Sequence, residues 1–308
     1  MIAPSVLEAI GNTPIVALRK VVPPHSARVL VKLESANPTG SMKDRMAKAV
    51  IDCAEQDGRI RHGMTVVEYT GGTTGISLAL ACAAKGYRFH AVFSDAFSDE
   101  KRVTMQALGG RVTIVPSDDK QITEQLIKQM IEEARKISQQ PGHWWSDQLN
   151  NADGVTGYYS LGEEIWNQTG GKVDAFVQSV GSAHSLHGVT KKLWEHNPKI
   201  HITAVEPAES AVLSGGRSGS HQIEGIGIGF VPPLWEPHLA NEVMTVSTAD
   251  ARAMARRLAR EEGLFAGTSS GGNVVAALRL AERLGSRATV VTLLVDSGTK
   301  YVSTELYR

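Results

Sequence analysis

The sequence predicts an α/β protein with mostly parallel sheets, divided between two domains. Short apolar runs typical of buried strands alternate with segments of helical spacing from residue 29 to residue 138, and a second alternation covers 161–295. Strands joined by helices imply parallel pairing with right-handed crossovers. Between the two alternations, residues 141–157 are aromatic and polar with turn residues, which is typical of a crossing between domains. The length of 308 residues is enough for two domains.

Before the first alternation, a turn at 10–14 leads into a short strand. Ser98 is the predicted N-cap of one helix, because acidic residues follow it in the first turn, and that helix ends at Gly109. The other predicted strands are 29–34, 65–69, 87–93 and 112–115, and the other predicted helices are 45–57, 76–85 and 122–138.

The second alternation contains a long connection, 208–240, that is rich in glycine, proline and serine. Its predicted strands are 175–180, 200–205 and 288–295, and its predicted helices are 161–169, 188–196, 248–262 and 274–284.

The composition excludes several classes of partner. Lysine plus arginine and aspartate plus glutamate both number 32, so no basic field is available for nucleic acid or a membrane surface. No run of 18 apolar residues is present, and residues 1–8 lack the pattern of a signal peptide. Cys53 and Cys82 lie in apolar helical patterns and are interpreted as buried thiols. We therefore expect a cytoplasmic protein with neither nucleic acid nor membrane as a partner.

Four loops built from glycine, serine and threonine, 39–41, 70–75, 181–185 and 267–272, follow predicted strands or precede predicted helices. Ligands of parallel sheets bind beyond the carboxyl ends of the strands, and small residues at a helix N-terminus favour oxyanions. One such loop is also compatible with an ordinary turn. Several loops in one chain indicate a ligand with more than one anionic group.

Lys43 lies where a strand-to-helix turn gives way to a helix. The positive end of a helix lowers the cost of the neutral amine, so a nucleophilic lysine is plausible there. The alternative at this point is a surface lysine after a turn.

Other ligand motifs do not fit. No G-x-x-x-x-G-K-[ST] segment occurs, and the glycines of 225–229 have the wrong spacing for a dinucleotide fingerprint. His184 and His187 have no carboxylate or cysteine near them in sequence, so we expect no metal site.

At residues 37–45, Asn-Pro-Thr-Gly-Ser-Met-Lys-Asp-Arg, the chain resembles the lysine motif of the fold-type II pyridoxal-phosphate enzymes, the cysteine synthase and cystathionine β-synthase family. Further segments resemble the family in the same order: 10–14, 98–109, 148–151, 223–232, 267–271 and 296–303. The resemblance implies a tryptophan synthase β-subunit-like fold with two three-layer αβα domains. We assign 45–147 to the smaller N-terminal domain, and 1–44 plus 148–308 to the larger domain that binds pyridoxal phosphate.

The resemblance also implies site residues. Lys43 would form a Schiff base with pyridoxal 5'-phosphate and then remove the substrate Cα proton. Ser269 would face the pyridine nitrogen, and a hydroxyl there suits β-elimination better than transamination. The residues implied to contact the cofactor phosphate are Gly181, Ser182, Ala183, His184 and Ser185. The residues implied to bind substrate are Thr70, Gly71, Gly72, Thr73, Thr74, Gln148 and Gly225, and Thr73 would also contact the cofactor.

The chain departs from the family pattern around the substrate and the phosphate. Thr73 replaces an asparagine and Gly71 a serine, and threonine cannot offer both an amide donor and a carbonyl acceptor. Either water or another side chain compensates, or the substrate differs. Ala183 and His184 replace glycines. His184 either points at the phosphate or lies on the surface, and the second is our preferred interpretation. Glu224 and Leu149 replace a glutamine and a phenylalanine.

The resemblance implies β-replacement on an activated serine, O-acetylserine or a related ester, with a sulfur nucleophile, giving cysteine or an analogue. The alternatives are a thiosulfate-using synthase, a cystathionine β-synthase, a β-eliminating desulfhydrase or serine dehydratase, and a catalytically silent binding partner. The resemblance also implies a homodimer.

Overall fold

The computed structural model describes residues 2–308, and its strands form two sheets. In chain order the strands are β1 (Ile15–Ala17), β2 (Arg28–Leu33), β3 (Thr65–Tyr69), β4 (Arg88–Ser94), β5 (Arg111–Val115), β6 (His143–Trp145), β7 (Ala175–Ser179), β8 (His201–Pro207), β9 (Glu242–Val246) and β10 (Thr289–Leu294). The larger sheet has the order β1-β2-β10-β7-β8-β9, and the smaller has the order β5-β4-β3-β6. β1 pairs antiparallel with β2, and the other neighbours pair parallel.

The helices cover the faces of both sheets. In chain order they are α1 (Lys43–Gln56), α2 (Thr73–Lys85), α3 (Asp99–Ala107), α4 (Glu124–Ser138), α5 (Asp153–Thr156), α6 (Tyr159–Gln168), α7 (His184–His196), α8 (Thr248–Arg257) and α9 (Thr268–Leu284).

The larger sheet lies between two apolar layers because successive side chains of a strand point to opposite faces. Val29 and Val31 of β2 pack in one core with residues of α8 and α9. Leu30, between them, packs in a second core with residues of α6 and α7. This arrangement confirms the predicted α/β class with parallel sheets.

The smaller sheet has its own core. Val66 and Val67 of β3 lie in it together with apolar residues of α2 and α4. α1 borders both cores, because Ile51 packs with the smaller sheet while Met46 packs with α6 and α7. The division at residues 44/45 and 147/148 stays a prediction.

Two strands escaped prediction. β6 lies in the segment 141–157 and pairs with β3, so this crossing belongs partly to the smaller sheet. β9 pairs with β8 at the edge of the larger sheet, and its half-buried, mixed sequence gives little periodic signal.

Several predicted details are corrected. α2, α7 and α9 begin three to six residues earlier than predicted, because small polar residues of low helix propensity form their first turns. Ser98 holds the N-cap position of α3, but its hydroxyl donates to the carbonyl of Lys300, 2.7 Å away, and does not cap the helix. Cys53 is only partly buried, whereas Cys82 is buried.

None of the helices in residues 2–308 combines the length and apolar character that crossing a bilayer requires.

Candidate active site

Lys43 is the first residue of α1 and lies at the carboxyl edge of the larger sheet. The turn before it is fastened to the end of β10, because Met42 N donates to Val295 O and Ser297 N donates to Gly40 O, each over 2.9 Å. Ser41 Oγ accepts from the amide of Lys43 at 3.1 Å. These bonds fix the backbone from which the lysine side chain enters a cavity.

The amine of Lys43 loses its proton more readily than that of an ordinary lysine. Burial lowers the pKa of Lys43 to about 8, although the nearby Asp296 carboxylate acts in the opposite direction. The neutral form of an amine is its nucleophilic form. The surface-lysine alternative is therefore wrong.

The loop after β7 forms one wall of the cavity that Lys43 enters. Gly181, Ser182, Ala183 and Ser185 line this cavity, and the last of them lies in the first turn of α7. A Cβ on Gly181 would meet the carbonyl of Gly225 at 2.4 Å, so only glycine fits where these two loops meet. Hydroxyls and backbone amides at a helix N-terminus favour an anion such as phosphate.

His184 is neither exposed nor available as a cation. Its side chain is 1% exposed, Nε2 lies 2.9 Å from the carbonyl of Asn151, and Nδ1 lies 2.8 Å from Ser182 Oγ. A carbonyl accepts only, so we assign the proton to Nε2 and an acceptor role to Nδ1. Burial lowers the pKa of His184 to about 4. Our expectation of a surface residue is wrong, and the ring does not line the cavity of Lys43 either, because both of its nitrogens meet protein partners.

Ser269 and Asp296 complete the wall opposite this loop. Ser269 is buried in the first turn of α9 and lines the same cavity as Lys43. Asp296 follows β10; its Oδ2 accepts from Tyr301 Oη at 2.7 Å, and among the described residues its buried Oδ1 has no hydrogen-bond partner. Burial raises the pKa of Asp296, which Lys101 and Tyr301 partly offset.

A second cavity continues from Lys43 toward the smaller sheet. Gly71, Thr73, Thr74, Gln148 and Gly225 line it. The side chain of Gln148 is held at both ends: Nε2 donates to Tyr69 O at 2.7 Å, and Oε1 accepts from Thr74 Oγ1 at 2.9 Å. The structure thus brings an amide next to the loop in which Thr73 replaces asparagine.

Two predicted substrate residues shape the loop from behind. Thr70 is fully buried, and its Oγ1 accepts from the amides of Gly72 and Gly75 at 2.9 and 3.0 Å. Gly72 has a φ of +113°, and a Cβ there would lie 2.5 Å from the side chain of Lys101. Neither Thr70 nor Gly72 lines the two cavities, so direct contact of either residue with substrate has no support in this geometry.

Three charged residues lie around these cavities; sequence reasoning missed Asp296 and Lys101, and noted Glu224 only as a departure from the family pattern. Asp296 lines the cavity of Lys43, Glu224 lines it from the opposite loop, and Lys101 lines the second cavity. Lys101 Nζ and Glu224 Oε2 form an ion pair of 2.6 Å. The position of Asp296 at the end of a buried strand was the available signal.

The residues around Lys43 fit a phosphorylated aldehyde. A partly neutral amine can bind the aldehyde, serine hydroxyls and the start of α7 can hold the phosphate, and the orphaned Asp296 Oδ1 and the Ser269 hydroxyl leave polar atoms for a heterocycle. No group of three or more metal-ligating side chains is present within residues 2–308.

A comparison with protein families decides between the possible ligands. The family described as pyridoxal-phosphate dependent enzyme matches residues 6–296. The chain belongs to this family.

This pyridoxal-phosphate dependent enzyme is similar over nearly its whole length to proteins named for their reactions. A cysteine synthase of Staphylococcus aureus is 40% identical over 305 residues, which cover 98% of this chain and 96% of that protein. The crystal structure of a cysteine synthase from Entamoeba histolytica has a TM-score of 0.93 at 36% identity, with 100% of this chain and 91% of that chain covered. An O-acetylserine dependent cystathionine beta-synthase from Helicobacter pylori has a TM-score of 0.93 at 34% identity, with both chains fully covered.

These comparisons confirm the predicted family, fold and cofactor of this pyridoxal-phosphate dependent enzyme. The roles of the individual residues stay predictions.

Proposed function

We propose that this pyridoxal-phosphate dependent enzyme replaces the β-substituent of an activated serine, O-acetylserine or a related ester, with a sulfur nucleophile and so makes cysteine. The observation that carries the proposal is the position of Lys43 where two cavities join, one beside an anion-binding loop and one beside Thr73, Thr74 and Gln148. The relatives named as cysteine synthases support the same reaction. The alternatives, cystathionine formation, β-elimination and a silent binding partner, are not favoured.

The residues of the first cavity would hold the cofactor. Lys43 would hold the cofactor at its aldehyde group, and Ser182, Ser185 and the backbone at the start of α7 would bind its phosphate. Ser269 would offer its hydroxyl to the ring nitrogen. When bound, pyridoxal phosphate withdraws electrons from the substrate Cα and so weakens the bond to its proton.

The residues of the second cavity would hold the amino acid. The amides at the start of α2 and the side chain of Gln148 bind the substrate carboxylate, since a helix N-terminus favours an anion. We infer that Gln148, tied to Thr74, supplies the amide that Thr73 lacks. Lys43 Nζ accepts the Cα proton, and its pKa of about 8 makes the neutral amine accessible near neutral pH.

The proposal extends to location and assembly. We propose a cytoplasmic homodimer, which the family resemblance supports; the free thiols Cys53 and Cys82 agree with a reducing compartment. Light scattering of the purified protein at several concentrations tests the dimer.

The decisive experiment offers the purified holoenzyme O-acetylserine and sulfide and measures cysteine. We expect turnover that Lys43→Ala abolishes and that Lys128→Ala, at an exposed lysine of α4, leaves unchanged. A panel of sulfide, thiosulfate and homocysteine, and of O-acetylserine, O-phosphoserine and serine, identifies both substrates. Product from homocysteine alone, or elimination without replacement, would overturn the proposal in favour of the corresponding alternative.

A further inference from the structure

Glu68 is a fully buried carboxylate at the end of β3, immediately before the loop 70–75. It accepts hydrogen bonds from neutral donors only. Oε1 accepts from Tyr69 N at 3.1 Å and from Trp145 Nε1 at 3.3 Å. Oε2 accepts from Ser146 Oγ at 2.7 Å and from Gln148 N at 2.9 Å. Three of these donors come from the last residue of β6 and from the segment that follows it, so one side chain fastens this part of the chain to β3.

We propose that Glu68 is a positioning residue for the substrate carboxylate. This inference rests on the proposed function for the roles of Gln148 and the loop 70–75. Gln148 receives its backbone position from Glu68 and its side-chain position from Tyr69 O and Thr74 Oγ1. Glu68 thus supports both parts of the predicted carboxylate subsite, Gln148 and the loop 70–75, but lines neither cavity itself.

The arrangement requires a carboxyl group rather than an amide. Tyr69 N, Trp145 Nε1 and Gln148 N can only donate, and they meet both oxygens of Glu68. Glutamine at this position would turn its NH₂ toward at least one of these donors in either orientation, which leaves buried donors without partners.

Both protonation states of Glu68 preserve the arrangement. Burial raises the pKa of Glu68 to about 8. A proton on Oε2 can be donated to Ser146 Oγ, whose own hydroxyl then turns to the carbonyl of Val67 at 3.3 Å. The three N–H donors keep their acceptors in either protonation state. The hydrogen bonds that position Gln148 therefore do not depend on the charge of Glu68.

The test compares Glu68→Gln with Thr113→Val. Thr113 Oγ1 on β5 lies 2.9 Å from Nε2 of the buried His90 on β4, and the control substitution removes this hydrogen bond. Neither His90 nor Thr113 lines the cavities. The control therefore reports what a lost buried hydrogen bond does to the smaller sheet in general. Thermal unfolding and cofactor absorbance are recorded for both holoenzymes.

The specific readout is the affinity for L-serine relative to L-serinamide, which lacks the carboxylate, from spectral titration of the cofactor. We expect Glu68→Gln to weaken the binding of L-serine about tenfold and the binding of L-serinamide less than twofold. The KM for O-acetylserine should also rise about tenfold, whereas kcat should change by less than about threefold. Thr113→Val should leave all these values unchanged. Equal weakening of both ligands, or of neither, would overturn the proposal.

Ser146→Ala keeps the test decisive if Glu68→Gln does not fold. It removes one donor to Oε2, and we expect about threefold weaker L-serine binding with L-serinamide unaffected; an unchanged ratio would overturn the proposal. If the wild type binds L-serine in preference to L-serinamide but does not convert O-acetylserine, the proposed function fails while the role of Glu68 is still measured. A wild type without that preference overturns the role of Glu68.

Discussion

Lys101 Nζ lies 2.6 Å from Glu224 Oε2 beside the second cavity, and the ring of Tyr301 covers the same ammonium at 4.4 Å. Glu224 stands where the family pattern has a glutamine. Its carboxylate forms an ion pair with Lys101, a residue 123 positions away in sequence.

Glu224→Gln should destabilise the protein by about 3 kcal/mol, because Lys101 is 1% exposed and would be left as a buried charge without its partner. The free energy of unfolding in urea measures this effect. Lys101→Met in the same chain should recover more than half of the loss.

Glu261→Gln is the control for this prediction. It breaks an ion pair with Arg257 in which both side chains are more than a third exposed, so solvent screens the pair and the free energy of unfolding should hardly change. Equal losses in the two variants would contradict a buried pair at Lys101.

Gly72→Ala should cost at least about 2 kcal/mol, because a φ of +113° strains an L-residue and the new Cβ would press on the side chain of Lys101. Gly58→Ala is the matched control: its φ is +78°, and a Cβ there meets no atom within 4 Å, so it should cost about 1 kcal/mol. Urea unfolding compares the two. A loss at Gly72 no larger than at Gly58 would show that the crowding with Lys101 is relieved at no cost.

The reactivity of Lys43 in the apoenzyme should rise with pH and reach half its maximum near pH 8, since burial lowers its pKa to about 8 and the reactive form is the neutral amine. At pH 7 about a tenth of Lys43 is then neutral, far more than for an ordinary lysine. Reductive methylation followed by peptide mass spectrometry measures the profile.

Asp296→Asn provides the second arm of that test. The Asp296 carboxylate raises the pKa of Lys43, so its removal should move the midpoint to lower pH. A midpoint near the ordinary lysine value in the wild type, or a shift to higher pH in the variant, would refute the proposed environment.

Acidification should cost stability through His184. Its folded pKa is about 4 and its ordinary value is 6.5, so between these values the unfolded chain binds a proton that the folded chain does not, and stability falls as the pH falls. His184→Gln, which keeps a donor and an acceptor but does not titrate, should show a shallower decline between pH 6.5 and 4.5 in chemical unfolding. Burial also lowers the pKa of His90 to about 4, so His90→Gln should show the same shallower decline. A decline as steep as in the wild type would contradict the buried, neutral imidazole.

Much of the site was predictable because it is written in local sequence. Lys43 at a turn before a helix, and loops of small residues after strands, identify the ligand edge of a parallel sheet, and the structure brings Ser182, Ser185 and Ser269 to the cavity of Lys43. The starts of α7 and α9 were misplaced because the same small residues that suit a ligand loop weaken the helical pattern.

The side-chain environments were not predictable. His184 was expected at the surface, yet its Nε2 donates a hydrogen bond inside the core to the carbonyl of Asn151, 33 positions away in sequence. Glu68 was seen only as part of a strand, although three of its four donors lie 77 to 80 positions further along the chain. No periodic pattern records such partners.

The sequence by itself determined the alternation of strands and helices except for β6 and β9, the parallel α/β class, and the places of Lys43 and the small-residue loops beside predicted strands and helices, because propensity, periodicity and turn chemistry act over a few residues. Only the tertiary structure decided that Lys101 and Glu224 neutralise each other, that His184 is neutral, and that Glu68 fastens Gln148 beside the substrate loop. These properties depend on burial and on contacts between distant segments, which set the cost of a charge and the supply of hydrogen-bond partners.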